Sequence, residues 1–285
     1  MIDNPIQPIE VLTRKSSKLL KALREYMKLN ENATENAYVL EKKIKNISAL
    51  VEDLLPPDLQ DSLRRWLTVQ KQEIEKGKDE IKFQFGNRLR ELCKTGDIIV
   101  RGQYPLLRLG LYTLKLNFEL GEAMLYFGPE IEKIKTKIPI QAEVIYEIVL
   151  KHRREIATES AELVDVARDI RTAYERCARR DGKPYGEKLL ITDVLKEYVF
   201  MKQSKKFAAD ACRQNFREYP RARMSFMLYQ LRNNKNASRG MHLHVATFDA
   251  TVDKTKALWV PEDEEGTGTH YEYITFESRD DSDAE

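Results

Sequence analysis

EYPRARMSFMLYQLRNNKN, residues 218–236, reads as a short basic helix, and its role decides how the last third of the chain is understood. Met224, Leu228 and Leu231 fall on one helical face, and Arg221, Ser225, Tyr229 and Arg232 fall on another. The first face suits a core. The second offers guanidinium groups, a hydroxyl and an aromatic ring to phosphates or base edges.

The flanking sequence predicts helices over 190–201 and 205–216, a third over 221–233, and extended segments over 241–248, 256–260 and 271–276. Three helices followed by a β-hairpin, with a short Arg217-Glu218-Tyr219-Pro220 turn between the second and third, resemble the winged-helix class of DNA-binding folds over residues 187–261. The resemblance is one of fold and names no family. It implies duplex DNA as ligand, with RNA as an alternative. The candidate nucleic-acid-binding residues are Arg213, Arg217, Arg221, Arg223, Ser225, Tyr229, Arg232, Lys235 and Arg239. Winged helices also serve as protein-docking modules, so a scaffold that never touches nucleic acid is the competing reading.

Charge supports a polyanionic partner. The net charge is only +2, yet Phe200 to Val245 carries ten basic residues against Asp210 and Glu218 alone. Residues 262–285 reverse the sign and read as an acidic tail containing one strand, able to compete with phosphates for the basic block.

Working toward the N-terminus, apolar positions from Leu12 to Leu54 follow alternating steps of four and three, interrupted by Ser16 and Asn30. That spacing predicts one continuous helix, roughly 60 Å long, in an antiparallel coiled-coil hairpin with a second helix ending near Lys94. Pro56-Pro57-Asp58 separates the two arms. Its partner is a coiled coil of another protein or of a second copy. Residues 95–180 read as a small antiparallel sheet, with strands at 98–100, 112–120 and 123–127, covered by one long helix after Pro139. Arg180 to Gly186 reads as a domain linker. The fold class is therefore mostly α, in the α+β sense, with boundaries at 1–94, 95–180, 187–261 and 262–285.

Enzymatic readings find little purchase. His242 and His244 alternate onto one side of a strand as weak metal candidates, but the HxH pattern lacks further ligands downstream. Asp97, Glu130 and Glu132 only loosely suggest a metal-dependent nuclease, and no phosphate-binding loop or nucleophile elbow occurs. Cys93, Cys177 and Cys212 are too scattered for a disulfide framework or zinc site. No cofactor is expected. With no long apolar run, the expectation is a cytoplasmic or nucleic-acid-associated intracellular protein without membrane attachment.

Overall fold

The computed structural model describes residues 6–52 and 57–277. Its elements mix helix and sheet and fall into two compact units, Met1–Leu92 with Phe118–Gly121, and Cys93–Asn117 with Glu122–Glu285.

The first unit contains α1 (Ile6–Asn30), α2 (Ala37–Glu52) and most of α3 (Pro57–Thr95). The single long arm expected over 12–54 is broken at 31–36. Asparagine competes with helical hydrogen bonding, and here the Asn36 side chain donates to the Leu29 carbonyl at 2.9 Å, closing the end of α1. Asn30 thus ends α1 at the turn and does not sit mid-stripe in a continuous helix. Beyond the break the expected stripe is buried: Leu40, Ile44, Ile47 and Val51 share a core with Leu19, Ala22, Tyr26, Leu67 and Ile74. Tyr26 meets Trp66 edge to face at 5.2 Å, and its hydroxyl donates to Gln70 Oε1 at 2.8 Å. Between α2 and α3, Lys78 Nζ is held by Glu41 and Glu75, each at 2.8 Å, and lies 5.4 Å from the centre of the Tyr38 ring. Gly77 permits a close approach, since a Cβ there would lie 3.3 Å from Ala37 Cβ.

In the second unit, β1 (Val100–Gln103), β2 (Leu106–Leu109), β3 (Tyr112–Asn117), β4 (Glu122–Phe127) and β5 (Glu132–Pro139) form an antiparallel meander in sequence order. The β3–β4 hairpin forms near its expected place, but β3 stops at Asn117 instead of Leu120 and the turn occupies 118–121, leaving Leu120 exposed. Strands β2 and β5 add to the expected sheet, and the strand expected over 98–100 lies instead at 100–103; β5 hides its pattern because Lys133, Lys135, Thr136 and Lys137 surround Ile134 and only Ile138 is fully buried.

The long helix expected after Pro139 is two helices, α4 (Ala142–Ile156) and α5 (Leu163–Arg180), separated by a 3-10 turn at Ser160–Glu162. A distant residue stabilises the break. The Gln230 side chain accepts from the Thr158 backbone N–H at 2.9 Å and donates to the Thr158 carbonyl at 2.8 Å. The predicted linker does not separate domains either. Tyr174 Oη donates to the Glu187 carbonyl at 2.7 Å and accepts from Gly186 N–H at 3.0 Å, tying 180–187 into the second unit.

The remaining elements are β6 (Leu189–Leu190), α6 (Ile191–Met201), α7 (Lys205–Ala209), α8 (Arg221–Asn233), β7 (Met241–Val245), α9 (Phe248–Val252), β8 (Leu258–Pro261) and β9 (Gly268–Phe276). The helix expected over 205–216 shortens to five residues followed by a 3-10 turn at Arg213–Asn215. In the second sheet β9 pairs antiparallel with β6, β7 and β8. Phe127 meets Trp259 edge to face at 5.6 Å, so aromatic packing joins β4 to β8.

The expected tail is partly folded. Asp263 accepts from the backbone N–H groups of Glu265 and Thr267, while Glu264 and Glu265 pair with Arg153 and Arg101 at 3.3 and 2.6 Å. These acids are occupied by partners outside the basic block. Residues 278–285, which carry Asp280, Asp281, Asp283 and Glu285, lie outside the described residues.

Candidate functional site

Helix α8 forms where expected, but its supposed reading face is turned into the fold. Arg221 Nε donates to Glu132 Oε1 at 2.8 Å, and its terminal nitrogens donate to the carbonyls of Lys254 and Ala257 at 2.8 and 2.7 Å. Ser225 is buried and donates to the Trp259 carbonyl at 2.5 Å. Tyr229 is buried as well. Arg232 remains exposed, yet its guanidinium donates to Tyr271 Oη at 2.9 Å and covers the same ring. The physical reason is that α8 has two covered sides, with β8 on one and α4 and α5 also packed against it. An amphipathic pattern cannot distinguish a wet basic face from one whose arginines satisfy backbone carbonyls.

The other candidates are more accessible. Arg213, Arg217, Lys235 and Arg239 are exposed, while Arg223 is half-buried. Arg239 lies on the far side of α8 in sequence, where its carbonyl accepts from Arg171 at 2.9 Å. His242 and His244 do not form a metal pair: His242 Nε2 contacts Glu277 Oε1 at 2.5 Å, and His244 Nε2 contacts Thr275 Oγ1 at 3.0 Å. Among the described residues, no group of three or more His, Cys, Asp or Glu side chains is placed to hold a metal ion.

The segment before α8 is where cations and aromatics converge. The guanidinium carbons of Arg217 and Arg223 lie 5.5 and 5.0 Å from the centre of the Tyr219 ring, and Tyr198 meets Tyr219 edge to face at 6.0 Å. These side chains line a cleft of about 260 Å³ together with Lys202, Met227, Thr158, Glu162, Asp165 and Val166. Lys202 Nζ is 2.7 Å from Asp169 Oδ2. Burial pushes the Tyr198 phenol up to about 12, so it stays protonated at neutral pH and available as a donor. The cleft has one acidic wall, from the start of α5, and one basic wall, from 217–223. Pattern reading picked out Arg217 and Arg223 but missed Tyr198, Lys202 and the α5 carboxylates. Their only signal was the density of Arg and Tyr around Pro220.

Arg217 lines the cleft, and Lys205, Lys206 and Arg213 come shortly before it in the chain; all four are exposed, and none forms an ion pair among the described residues. Such a group can bind phosphate oxygens and stack against rings. The buried thiols are chemically quiet by comparison, with burial raising Cys93 to about 11 and Cys177 also upward. No helix among the described residues is long and apolar enough to cross a membrane. In comparisons with known proteins, no family, no curated protein and no solved structure matches this chain.

Proposed function

We propose that this chain is a non-enzymatic nucleic-acid-binding adaptor whose second unit holds phosphates through the segment 202–223 and whose helical first unit engages another protein. The observation that carries it is the set of four exposed cations, Lys205, Lys206, Arg213 and Arg217, none ion-paired among the described residues, of which Arg217 stacks with Arg223 on the Tyr219 ring. Unneutralised cations near an aromatic ring held by two arginines suit a sugar-phosphate backbone better than an apolar partner. Of the winged-helix reading, the order of α6, α7 and α8 remains, but the hairpin expected from 241–248 and 256–260 does not form: β7 and β8 each pair with β9. Within it, DNA contact moves from the α8 face to the turn before that helix.

Binding of a labelled duplex and a labelled single strand, followed across salt concentrations, tests this. Replacing all four cations by Ala should weaken binding and reduce the salt slope by about 0.9 for each lost duplex contact. Affinity and slope that stay unchanged in a folded quadruple variant would sink the reading and leave a protein-docking role for the segment.

A further inference from the structure

Helix α1 carries two apolar stripes where a bundle helix needs one. Leu19, Ala22 and Tyr26 are buried in the three-helix core. Ile6, Ile9, Leu20 and Met27 are 62%, 64%, 49% and 57% exposed. These four fall in a heptad series completed by Thr13, Ser16 and Leu23, with steps of three and four residues; Leu23 is half-buried against the core, and Val11 and Leu12 are exposed beside the series. At 1.5 Å per residue the series spans roughly 30 Å, which one neighbouring helix would cover.

Two further observations identify the neighbour. The Thr13 hydroxyl already donates to the Ile9 carbonyl at 2.9 Å, so covering it leaves no unmet donor. Along one flank of the series run Glu10, Arg14, Lys21, Arg24 and Lys28; none of the four cations forms an ion pair among the described residues, and they outnumber the single acid. The helix as a whole holds six basic residues against Glu10 and Glu25, and Glu25 is taken by Lys43. A second copy of α1 would set cations against cations. Val11 and Leu12 widen the exposed apolar surface at the N-terminal end, but Thr13 and Ser16 interrupt it at a spacing that suits a heptad partner better than a lipid surface.

We infer that the outer seam of α1 docks an acidic amphipathic helix of another protein, with apolar residues at heptad spacing and carboxylates facing Arg14, Lys21, Arg24 and Lys28. This rests on the adaptor half of the proposed function and is independent of nucleic-acid binding. Such a partner buries the seam and neutralises the rail in one contact.

The test uses the full chain and two labelled four-heptad peptides with Leu at the seam positions, one with Glu and one with Lys at the flanking positions. The Glu peptide should bind at least about tenfold more tightly than the Lys peptide, with the preference shrinking at high salt. Leu20→Glu with Met27→Glu should lower Glu-peptide affinity by about tenfold or more while circular dichroism and nucleic-acid affinity hold steady. No binding of the Glu peptide, equal binding of both peptides, or binding that survives the double substitution overturns the inference. So does a concentration-dependent dimer abolished by the same substitutions, or capture by anionic phosphatidylserine vesicles in place of the peptide.

Discussion

Arg221 and Glu132 meet at 2.8 Å although 89 residues separate them, and the carboxylate is also held by Lys254 at 3.1 Å. With the Lys254 and Ala257 carbonyls as further acceptors, the Arg221 guanidinium ties α8, β5 and the segment before β8 together. An arginine with so many internal acceptors is structural in effect, whatever its sequence neighbourhood suggests.

Substituting Arg221→Gln should therefore destabilise the second unit by about 2–3 kcal/mol, because charge-assisted bonds are lost and backbone acceptors are left in a partly buried place. Urea unfolding measures this. Per folded molecule, nucleic-acid affinity should be unchanged; a weakened affinity with unaltered stability would restore Arg221 as a contact residue.

Acid should weaken the second unit partly through His152. Its Nδ1 lies 3.0 Å from Tyr112 Oη, and burial, opposed by Glu155, holds its pKa below the ordinary value. The imidazole thus stays neutral in the fold but takes up a proton in the unfolded chain below about pH 6.5. The unfolded state then binds more protons, so stability falls as pH drops from there through the lowered folded pKa. His244 and His270 are shifted the same way, also chiefly by burial. His152→Gln should consequently flatten, without abolishing, the loss of stability between neutral and mildly acidic pH. Unfolding midpoints that fall equally with pH in both proteins would exclude His152 as a contributor.

What the residue pattern revealed depended on whether the deciding partner was local. In α2, Leu40, Ile44, Ile47 and Val51 lie on one side by periodicity alone, and all are buried. The break at 31–36 was masked because Asn30 and Ala33 fit the same spacing, although Asn30, Asn32 and Asn36 mark a turn. The break at 157–159 was illegible for another reason: Gln230, 72 residues away, satisfies its backbone. Likewise the role of Arg221 depends on Glu132 and on carbonyls beyond α8, which no local window contains. Arg213 and Arg217 were easier to place, since polar surroundings leave both exposed.

Gly77→Leu should destabilise the first unit by about 1–3 kcal/mol, because even a Cβ would sit 3.3 Å from Ala37 Cβ and the larger side chain must separate α2 from α3. The separation would also disturb Lys78 between Glu41 and Glu75. Thermal unfolding followed by helical signal reads this change. A variant as stable as the parent would show that the two helices do not need the glycine contact.

Tyr219 separates stacking from charge at the cleft. Its ring lies against the guanidinium groups of Arg217 and Arg223 and meets the edge of Tyr198. If the cleft holds a base or sugar beside a phosphate, Tyr219→Ala should weaken single-strand binding by about 1–2 kcal/mol, while Tyr219→Phe, which keeps the ring, should be nearly neutral. The salt slope should barely move in either variant because no cation is removed. Anisotropy titrations at several salt concentrations distinguish the outcomes. Equal loss in the Phe and Ala variants would assign the effect to the phenol hydroxyl. A parallel fall in slope with Tyr219→Ala would instead mean that the ring serves to position Arg217 and Arg223 for phosphate contact.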